Sequence, residues 1–253
     1  MFSAIWTPAA LSSEAITIRH DVWRLVEAQH QVSTMKLVDT SDEQALLEQV
    51  LETTKPALPA ETLPLDYLLA TPFRYGAVYP HGSRFRRAGR TPGVFYAALS
   101  ETTAVAEMAF YRLLFFTDSP QTPLPANPAD YTAFAARIST TRGIDLTRSP
   151  LSDNQQAFED PVEYSACQAL ADTARSAKLE AILYRSIRDP GKGMNIALLS
   201  PAAFAHREPV ARQSWRIHWS AHHVQALCEF PHRRLGFTLS DFVSDPRIAA
   251  RFG

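Results

Sequence analysis

The sequence predicts an α+β fold in which helices and strands follow one another irregularly. Three observations predict it: a strand candidate at Gly93–Ala98, a long apolar helix directly after it, and alternating aromatic and aliphatic residues around Ile217. The regular βαβ order of parallel sheets is missing. A chain of 253 residues, 46% of them hydrophobic, can bury a large core, and we expect one domain with an N-terminal extension.

The first 60 residues are expected to form this extension, as two surface helices. Within residues 13–30, and again within 41–54, apolar residues recur near the helical period with polar residues between them. Four prolines between residues 55 and 72 forbid a continuing helix, so that segment is expected to run extended. The main domain is placed at residues 61–253.

The middle of the chain carries clear signals for a strand, a helix and a second strand. Gly93–Ala98 is bounded by turn residues, as strands often are. Ser100 suits an N-cap and Glu101 suits the positive helix start, which predicts a helix that continues to Phe116. Residues 132–139 then alternate in the manner of a half-buried strand.

The last third is predicted to begin with a helix and to continue in strands. Asp160, Pro161 and Glu163 combine an N-cap, a proline at the first helical position and an N3 carboxylate. This pattern predicts a helix that ends near Lys178. Strands are predicted after it, at Leu179–Tyr184, Met194–Ser200 and Ser214–Ser220.

Charge and composition argue against several classes of protein. A net charge of -1 provides no overall field that would attract nucleic acid or an anionic membrane surface. No apolar run approaches a membrane span, and residues 1–15 lack the basic start of a signal peptide. Cys167 and Cys228 form no CxxC pair, which is typical of reduced, buried thiols. We expect a cytoplasmic protein without a direct nucleic-acid or membrane partner.

An arginine cluster is the densest group of candidate site residues. Its members share a short glycine-flanked segment and are Arg84, Arg86, Arg87 and Arg90. Guanidinium groups bind phosphate oxygens in pairs, and glycines permit close backbone approach. The cluster therefore indicates a phosphorylated ligand, or else a solvated loop with surface ion pairs.

Other candidates have both a functional and a structural interpretation. Glu107 lies among apolar residues of the predicted helix, where a buried carboxylate needs a partner or a function, although helix-surface glutamates are common. Ser186 ends a predicted strand before a Pro-Gly turn, which suits a ligand donor or ordinary turn chemistry. Tyr75 and Tyr96 suit stacking on a ligand ring, and Tyr96 equally suits the core.

Metal binding is not expected. His218, His222 and His223 lie close in sequence, but no cysteine or suitably spaced acidic residue accompanies them. The common motifs of dinucleotide, nucleoside triphosphate, esterase and metalloprotease sites are also missing from the sequence.

Taken in order, these residues resemble the RES domain family, which is named for an arginine, a glutamate and a serine. The arginine matches Arg74 in PFRY, the glutamate Glu107 in TAVAE, and the serine Ser186 in YRSIR. Further matches are the second-arginine loop Gly82–Phe85, the strand Gly93–Ala97 before the glutamate helix, and Asn195 after the serine turn. The resemblance covers about residues 68–200, and VEAQH at residues 26–30 resembles an extension found in one branch.

The resemblance implies an ADP-ribosyltransferase-like mixed sheet core with flanking helices, and NAD as the substrate, without a metal. Cleavage of the nicotinamide-ribose bond passes through an oxocarbenium-like centre that a carboxylate, here Glu107, can stabilise. Arg74 and Ser186 complete the implied catalytic set. The implied NAD-binding residues are Arg74 and Arg84 on the pyrophosphate, Tyr75 and Tyr96 on the nicotinamide or ribose, Ser186 on the ring amide or ribose, and Asn195. Arg86, Arg87 and Arg90 leave the second phosphate ligand open.

The resemblance also implies a biological setting. The protein would be the toxin of a type II toxin-antitoxin system, held inactive by an Xre-like helix-turn-helix antitoxin. The acceptor of the ADP-ribosyl group stays open between water, phosphate and a protein, and a homodimer is also left open. The alternative from another class is a non-catalytic module that keeps the fold and binds a nucleotide or a partner.

Overall fold

The computed structural model describes residues 6–28, 37–75 and 82–252. Its helices are α1 (Pro8–Ser13), α2 (Ser41–Thr53), α3 (Tyr67–Arg74), α4 (Glu101–Asp118), α5 (Gln155–Phe158), α6 (Ser165–Ser176) and α7 (Pro246–Phe252). Its strands are β1 (Ile16–Glu27), β2 (Phe95–Ala98), β3 (Ala129–Asp145), β4 (Ala181–Arg185), β5 (Met194–Leu198), β6 (Ala211–Trp219), β7 (His223–Cys228) and β8 (Arg233–Thr238). The predicted α+β class is confirmed.

The strands form one mixed sheet that closes on itself at one end. The order is β1-β2-β5-β4-β3-β6-β7-β8, and β1 also pairs with β3, so β1 to β5 complete a ring. The link between β1 and β2 is the single pair Trp23 with Ala98. Strand β3 is long enough to pair with β1 on one side and with both β6 and β4 on the other. Strands β6 to β8 extend the sheet as an antiparallel flap.

Helix α4 covers this flap and forms the largest core region with it. Val105, Phe110 and Leu113 on the helix pack with Trp215 and Trp219 of β6, and all of them are almost completely buried. Burial of each such side chain contributes about 1.5–3 kcal/mol relative to exposure. The helix that carries Glu107 is therefore rigidly attached to the sheet.

The helix predicted within residues 13–30 is wrong, because Ile16–Glu27 form β1. Its fully buried positions, Ile18, Val22 and Leu25, have the i, i+4, i+7 spacing of a helix face. Ile18 and Val22 pack in one core region, however, whereas Leu25 packs beside α4 in another. A strand covered on both faces thus imitates a helical pattern. Residues 29–30 of that prediction lie outside the described residues.

Two other local predictions also need correction. The segment before Pro72 is not extended throughout, because α3 begins at Tyr67, where the Asp66 side chain accepts a hydrogen bond from the Leu68 amide at 2.8 Å. Pro72 lies inside α3, near its end. The helix predicted from Asp160 begins only at Ser165, since the Asp160 carboxylate caps a turn that does not continue.

The remaining predicted elements are confirmed with small changes at their ends. They are α2, β2, α4 with its Ser100 cap, β3, β4, β5 and β6. Helix α2 exposes Leu46, Val50 and Leu51 to solvent, in keeping with a peripheral position. Strands β7 and β8 and helices α1, α5 and α7 were not predicted. The domain boundary at residue 60 stays a prediction.

Candidate active site

A cavity of about 320 Å³ opens beside the closure of the ring. Ligand cavities range from about 300 to 1,000 Å³. Apolar, polar and charged side chains all line this cavity. The residues of the wall include Trp23, Arg24, Leu25, Ser83, Arg84, Tyr96, Ala98, Glu107, Met108, Tyr111, Tyr184, Ile187, Arg188 and Asn195.

Glu107 enters this cavity from α4 and is held by two donors. The Ser186 hydroxyl donates to Glu107 Oε1 at 2.7 Å, and the Asn195 side-chain amide donates to the same oxygen at 2.6 Å. Within the described residues, Oε2 has no hydrogen-bond partner. The carboxylate is thus fixed through one oxygen and presents the other to a ligand.

The Ser186 hydroxyl has no hydrogen-bonding capacity left. It donates to Glu107 and accepts from the backbone amides of Arg188, at 3.2 Å, and Asp189, at 2.9 Å. A serine hydroxyl has one donor and two lone pairs, so all three are used. In this arrangement Ser186 orients Glu107, and contact with a ligand would require the exchange of one of these bonds.

Asn195 has an open acceptor at the same place. Its side chain is only 3% exposed, its amide nitrogen donates to Glu107, and its Oδ1 has no partner among the described residues. A buried acceptor without a partner costs free energy. A hydroxyl or amide of a ligand would satisfy it.

The turn between β4 and β5 holds these side chains in place. Asp189 accepts hydrogen bonds from the amides of Gly191 and Gly193 and from the Thr103 hydroxyl of α4. A Cβ atom at Gly193 would lie only 2.1 Å from Thr103 Oγ1, so only glycine allows this close approach. The Pro-Gly turn thereby links Ser186 to the helix that carries Glu107.

Three tyrosines, Tyr96, Tyr111 and Tyr184, give the cavity neutral aromatic surfaces. Burial raises the pKa of Tyr96 and Tyr184 above the usual value, and the nearby Glu107 charge also raises the pKa of Tyr184. All three stay protonated at neutral pH. The Tyr96 hydroxyl contacts Ser83 Oγ at 2.8 Å and accepts from the Phe85 amide, so it fixes the Gly82–Phe85 loop.

The arginine cluster contributes one guanidinium group to the wall, that of Arg84. It donates to the carbonyls of Phe158 and Asp160 and lies over the Tyr164 ring. The other three members do not line the cavity: Arg86 is buried, Arg87 pairs with Asp172 at 2.6 Å, and Arg90 is exposed.

The RES domain family matches residues 59–220. The chain belongs to this family. No curated protein sequence matches it.

One solved structure resembles this RES protein in outline. It is the crystal structure of the M. tuberculosis MbcT-MbcA toxin-antitoxin complex, in which a chain is similar with 14% identity and a TM-score of 0.47. The similarity covers 85% of this chain and 94% of that chain. So distant a likeness says nothing about individual residues or chemistry.

Of the three residues that the resemblance matches to the family's name, Glu107 lines the cavity, whereas Ser186 and Arg74 do not. Glu107 and Ser186 are hydrogen-bonded to each other. Arg74, at the end of α3, forms an ion pair with Glu52 of α2 at 2.6 Å, and neither Arg74 nor Tyr75 is part of the cavity wall. The roles of these residues toward a ligand stay predictions.

Among the polar residues of the wall, the sequence analysis missed Arg24, Tyr111, Tyr184 and Arg188. Arg188 stands in the YRSIR motif itself, and its position two residues after Ser186 was a usable signal. Arg24 lies in the segment that was predicted as a helix, so no pattern connected it to the site.

The described residues contain neither a metal-binding cluster nor a membrane-spanning helix. Among them, no three His, Cys, Asp or Glu side chains come together in a way that could hold a metal ion. No helix in the same part of the chain has the length and apolarity that crossing a membrane requires.

Proposed function

We propose that this RES protein cleaves NAD at the nicotinamide-ribose bond. The observation that carries the proposal is the Glu107 carboxylate, which is fixed through Oε1 and open at Oε2 inside a cavity with aromatic walls. A carboxylate held in this way before a substrate binds stabilises positive charge without reorganisation. The nicotinamide riboside half would enter the cavity, and the diphosphate would lie at its arginine-bearing side.

The chemistry follows from where charge develops. When the bond between ribose C1′ and the pyridinium nitrogen breaks, its electron pair neutralises the ring and nicotinamide leaves. The ribose becomes an oxocarbenium ion, and Glu107 Oε2 stabilises it. Water then adds to C1′ and loses a proton, which gives ADP-ribose, or phosphate adds and gives ADP-ribose 1″-phosphate.

The other residues of the site would hold Glu107 in place and position the substrate. Ser186 and Asn195 keep Glu107 in one rotamer, and the free Asn195 Oδ1 would accept a hydrogen bond from a ribose hydroxyl or the nicotinamide amide. Tyr96, Tyr111 and Tyr184 supply neutral faces on which the nicotinamide ring can pack. An ADP-ribosyltransferase-like core is part of the same proposal.

Such an activity needs control in the cell that makes it. NAD depletion arrests growth, so the producing cell requires an inhibitor. We propose that the protein is the toxin of a type II toxin-antitoxin pair and that an Xre-like helix-turn-helix antitoxin is its partner.

The test is NAD turnover by the purified protein, with the products identified by mass spectrometry in the presence and absence of phosphate. Free nicotinamide together with ADP-ribose, or with its 1″-phosphate when phosphate is present, supports the proposal and identifies the acceptor. Labelled protein in place of a free product would indicate protein ADP-ribosylation. Binding of NAD without any turnover would leave only the non-catalytic module.

A further inference from the structure

A strand outside the matched family region contributes to the cavity. The family match begins at residue 59, whereas Trp23, Arg24 and Leu25 of β1 line the same cavity as Glu107. β1 is held there by its antiparallel register with β3, which places Arg24 opposite Phe134. Arg24 is thus a fixed part of the wall.

Arg24 has a charge that no carboxylate balances within the described residues. Its Nη1 donates to the Tyr96 carbonyl at 2.7 Å, and its guanidinium group lies 5.4 Å from the centre of the Phe95 ring. Burial lowers the pKa of Arg24 to about 10, so the group stays charged at neutral pH. A charge in such a place is costly unless an anion comes to it.

The two other cavity arginines are already engaged. Arg188 forms an ion pair with the fully buried Asp245 at 2.6 Å. Arg84 directs donors to two backbone carbonyls. Arg24, by contrast, donates one hydrogen bond, to the Tyr96 carbonyl, and its other N–H donors have no partner among the described residues.

We propose that Arg24 is the substrate-binding arginine that receives a phosphate of the substrate's diphosphate group. The resemblance gives this role to Arg74, but the Arg74 guanidinium pairs with Glu52 outside the cavity wall. A guanidinium fork matches two phosphate oxygens and is the favoured partner for this group. The inference rests on the proposed function, because it takes NAD as the ligand.

The experiment measures binding by calorimetry in Glu107→Gln protein, in which neither ligand should be consumed. The probes are NAD, which carries the diphosphate, and nicotinamide riboside, which lacks it. Arg24→Gln is added as the test variant, since its amide can still donate to the Tyr96 carbonyl. Arg19→Gln is the matched control, because Arg19 lies on the same strand but is exposed and outside this cavity.

Arg24→Gln should weaken NAD binding by about tenfold or more and leave nicotinamide riboside binding within about twofold. The remaining NAD affinity should also depend less on salt. An equal loss of affinity for both ligands would indicate that Arg24 has a structural role and would overturn the inference. NAD binding by the Arg24→Gln variant that is as tight as that by the Arg19→Gln control would also overturn it. If the parent protein bound neither ligand and the wild type left NAD intact, the proposed function would fail and this inference with it.

Discussion

Glu107 accepts both of its hydrogen bonds from described residues on Oε1. One carboxylate oxygen is therefore held by the fold, and the other is available to a ligand. Oε1 belongs to the network of Ser186 and Asn195. In the proposed reaction, Oε2 would face the ribose. A substitution that changes charge but not shape therefore tests the chemistry of the site while most of the network stays.

Glu107→Gln should lower the rate of NAD cleavage by about a hundredfold to a thousandfold, since it removes the charge that stabilises the transition state. Single-turnover assays with mass-spectrometric detection of nicotinamide measure this loss. The thermal unfolding midpoint should change little, because the amide keeps the shape. A rate close to that of the wild type would remove Glu107 from the mechanism.

Ser186→Ala should reduce both turnover and stability. The amides of Arg188 and Asp189 would lose their acceptor, and Glu107 would lose one of its two donors. We expect a loss of about 1–3 kcal/mol in the free energy of unfolding, measured in urea. In kinetics, kcat should fall more than KM rises, because Ser186 acts through Glu107.

Ser176→Ala is the matched control, since Ser176 is exposed on α6 and remote from the cavity. An unchanged kcat for Ser186→Ala would show that Asn195 alone suffices to orient the carboxylate.

The sequence pointed to Glu107 and Ser186 through their local surroundings as well as through the family resemblance, whereas Asn195 was indicated by the resemblance alone. The glutamate interrupts an apolar helix face, and the serine precedes a Pro-Gly turn. Arg24 differs, since nothing in its neighbourhood distinguishes it from a surface arginine. Only the pairing of β1 with β3, across more than a hundred residues of sequence, places it beside Glu107.

At the scale of elements, the C-terminal segment around α7 acts as a support for the serine turn. Asp245, just before α7, binds Arg188, whose backbone amide donates to Ser186. Burial raises the pKa of Asp245, but hydrogen bonds from Arg247 and the charges of Arg188 and Arg247 outweigh this and hold it below its usual value. The ionised carboxylate is therefore the form that the fold stabilises.

This arrangement predicts how stability responds to acid. The folded pKa of Asp245 lies below its unfolded value of about 3.9. Its stabilising contribution is thus complete above that value and is lost as pH falls through it toward the folded pKa. Urea unfolding between pH 3 and 7 should show that the free energy of unfolding declines in the acid range. This decline should be smaller in Asp245→Asn.

At neutral pH, Asp245→Asn should cost about 3–5 kcal/mol, because the Arg188 charge stays buried without its partner. Asp153→Asn, in the short 3₁₀ helix Leu151–Asn154, serves as a control that changes one carboxylate at an exposed position. Equal acid sensitivity in the Asp245 variant and the wild type would assign the acid response to other carboxylates.

The strand β6 could be predicted from its burial pattern, whereas β1 could not. β6 alternates Trp215, Ile217 and Trp219 on one buried side, which is the ordinary pattern of a half-covered strand. In β1 the buried side changes along the strand, so the local pattern resembles that of a helix. Closure of the ring is a long-range property that no window of sequence contains.

At the scale of the whole molecule, the cavity combines cationic and aromatic surfaces that suit an inhibitor as well as a substrate. We expect the antitoxin to occupy this cavity and to compete with NAD, through an acidic side chain or a terminal carboxylate on the arginines. Part of its affinity would then come from charge and should weaken as salt rises.

Titration of the protein with the proposed antitoxin at several NAD concentrations measures this competition. Arg84→Ala and Arg24→Gln should each weaken antitoxin binding, by a few kcal/mol at most. Arg74→Ala tests the remaining family arginine in the same assay. Purely non-competitive inhibition, with affinity indifferent to these arginines, would place the antitoxin on another surface.

The pairing of β1 with β3 also has a consequence for how the protein is made. The ribosome produces Arg24 early, but β1 cannot pair until β3 has been synthesised, and Asn195 and the Asp245 support follow later still. A half-finished chain therefore has no complete cavity. If the protein cleaves NAD as proposed, activity begins only when nearly the whole described chain has left the ribosome, so the inhibitor needs to recognise a folded enzyme and not a nascent one.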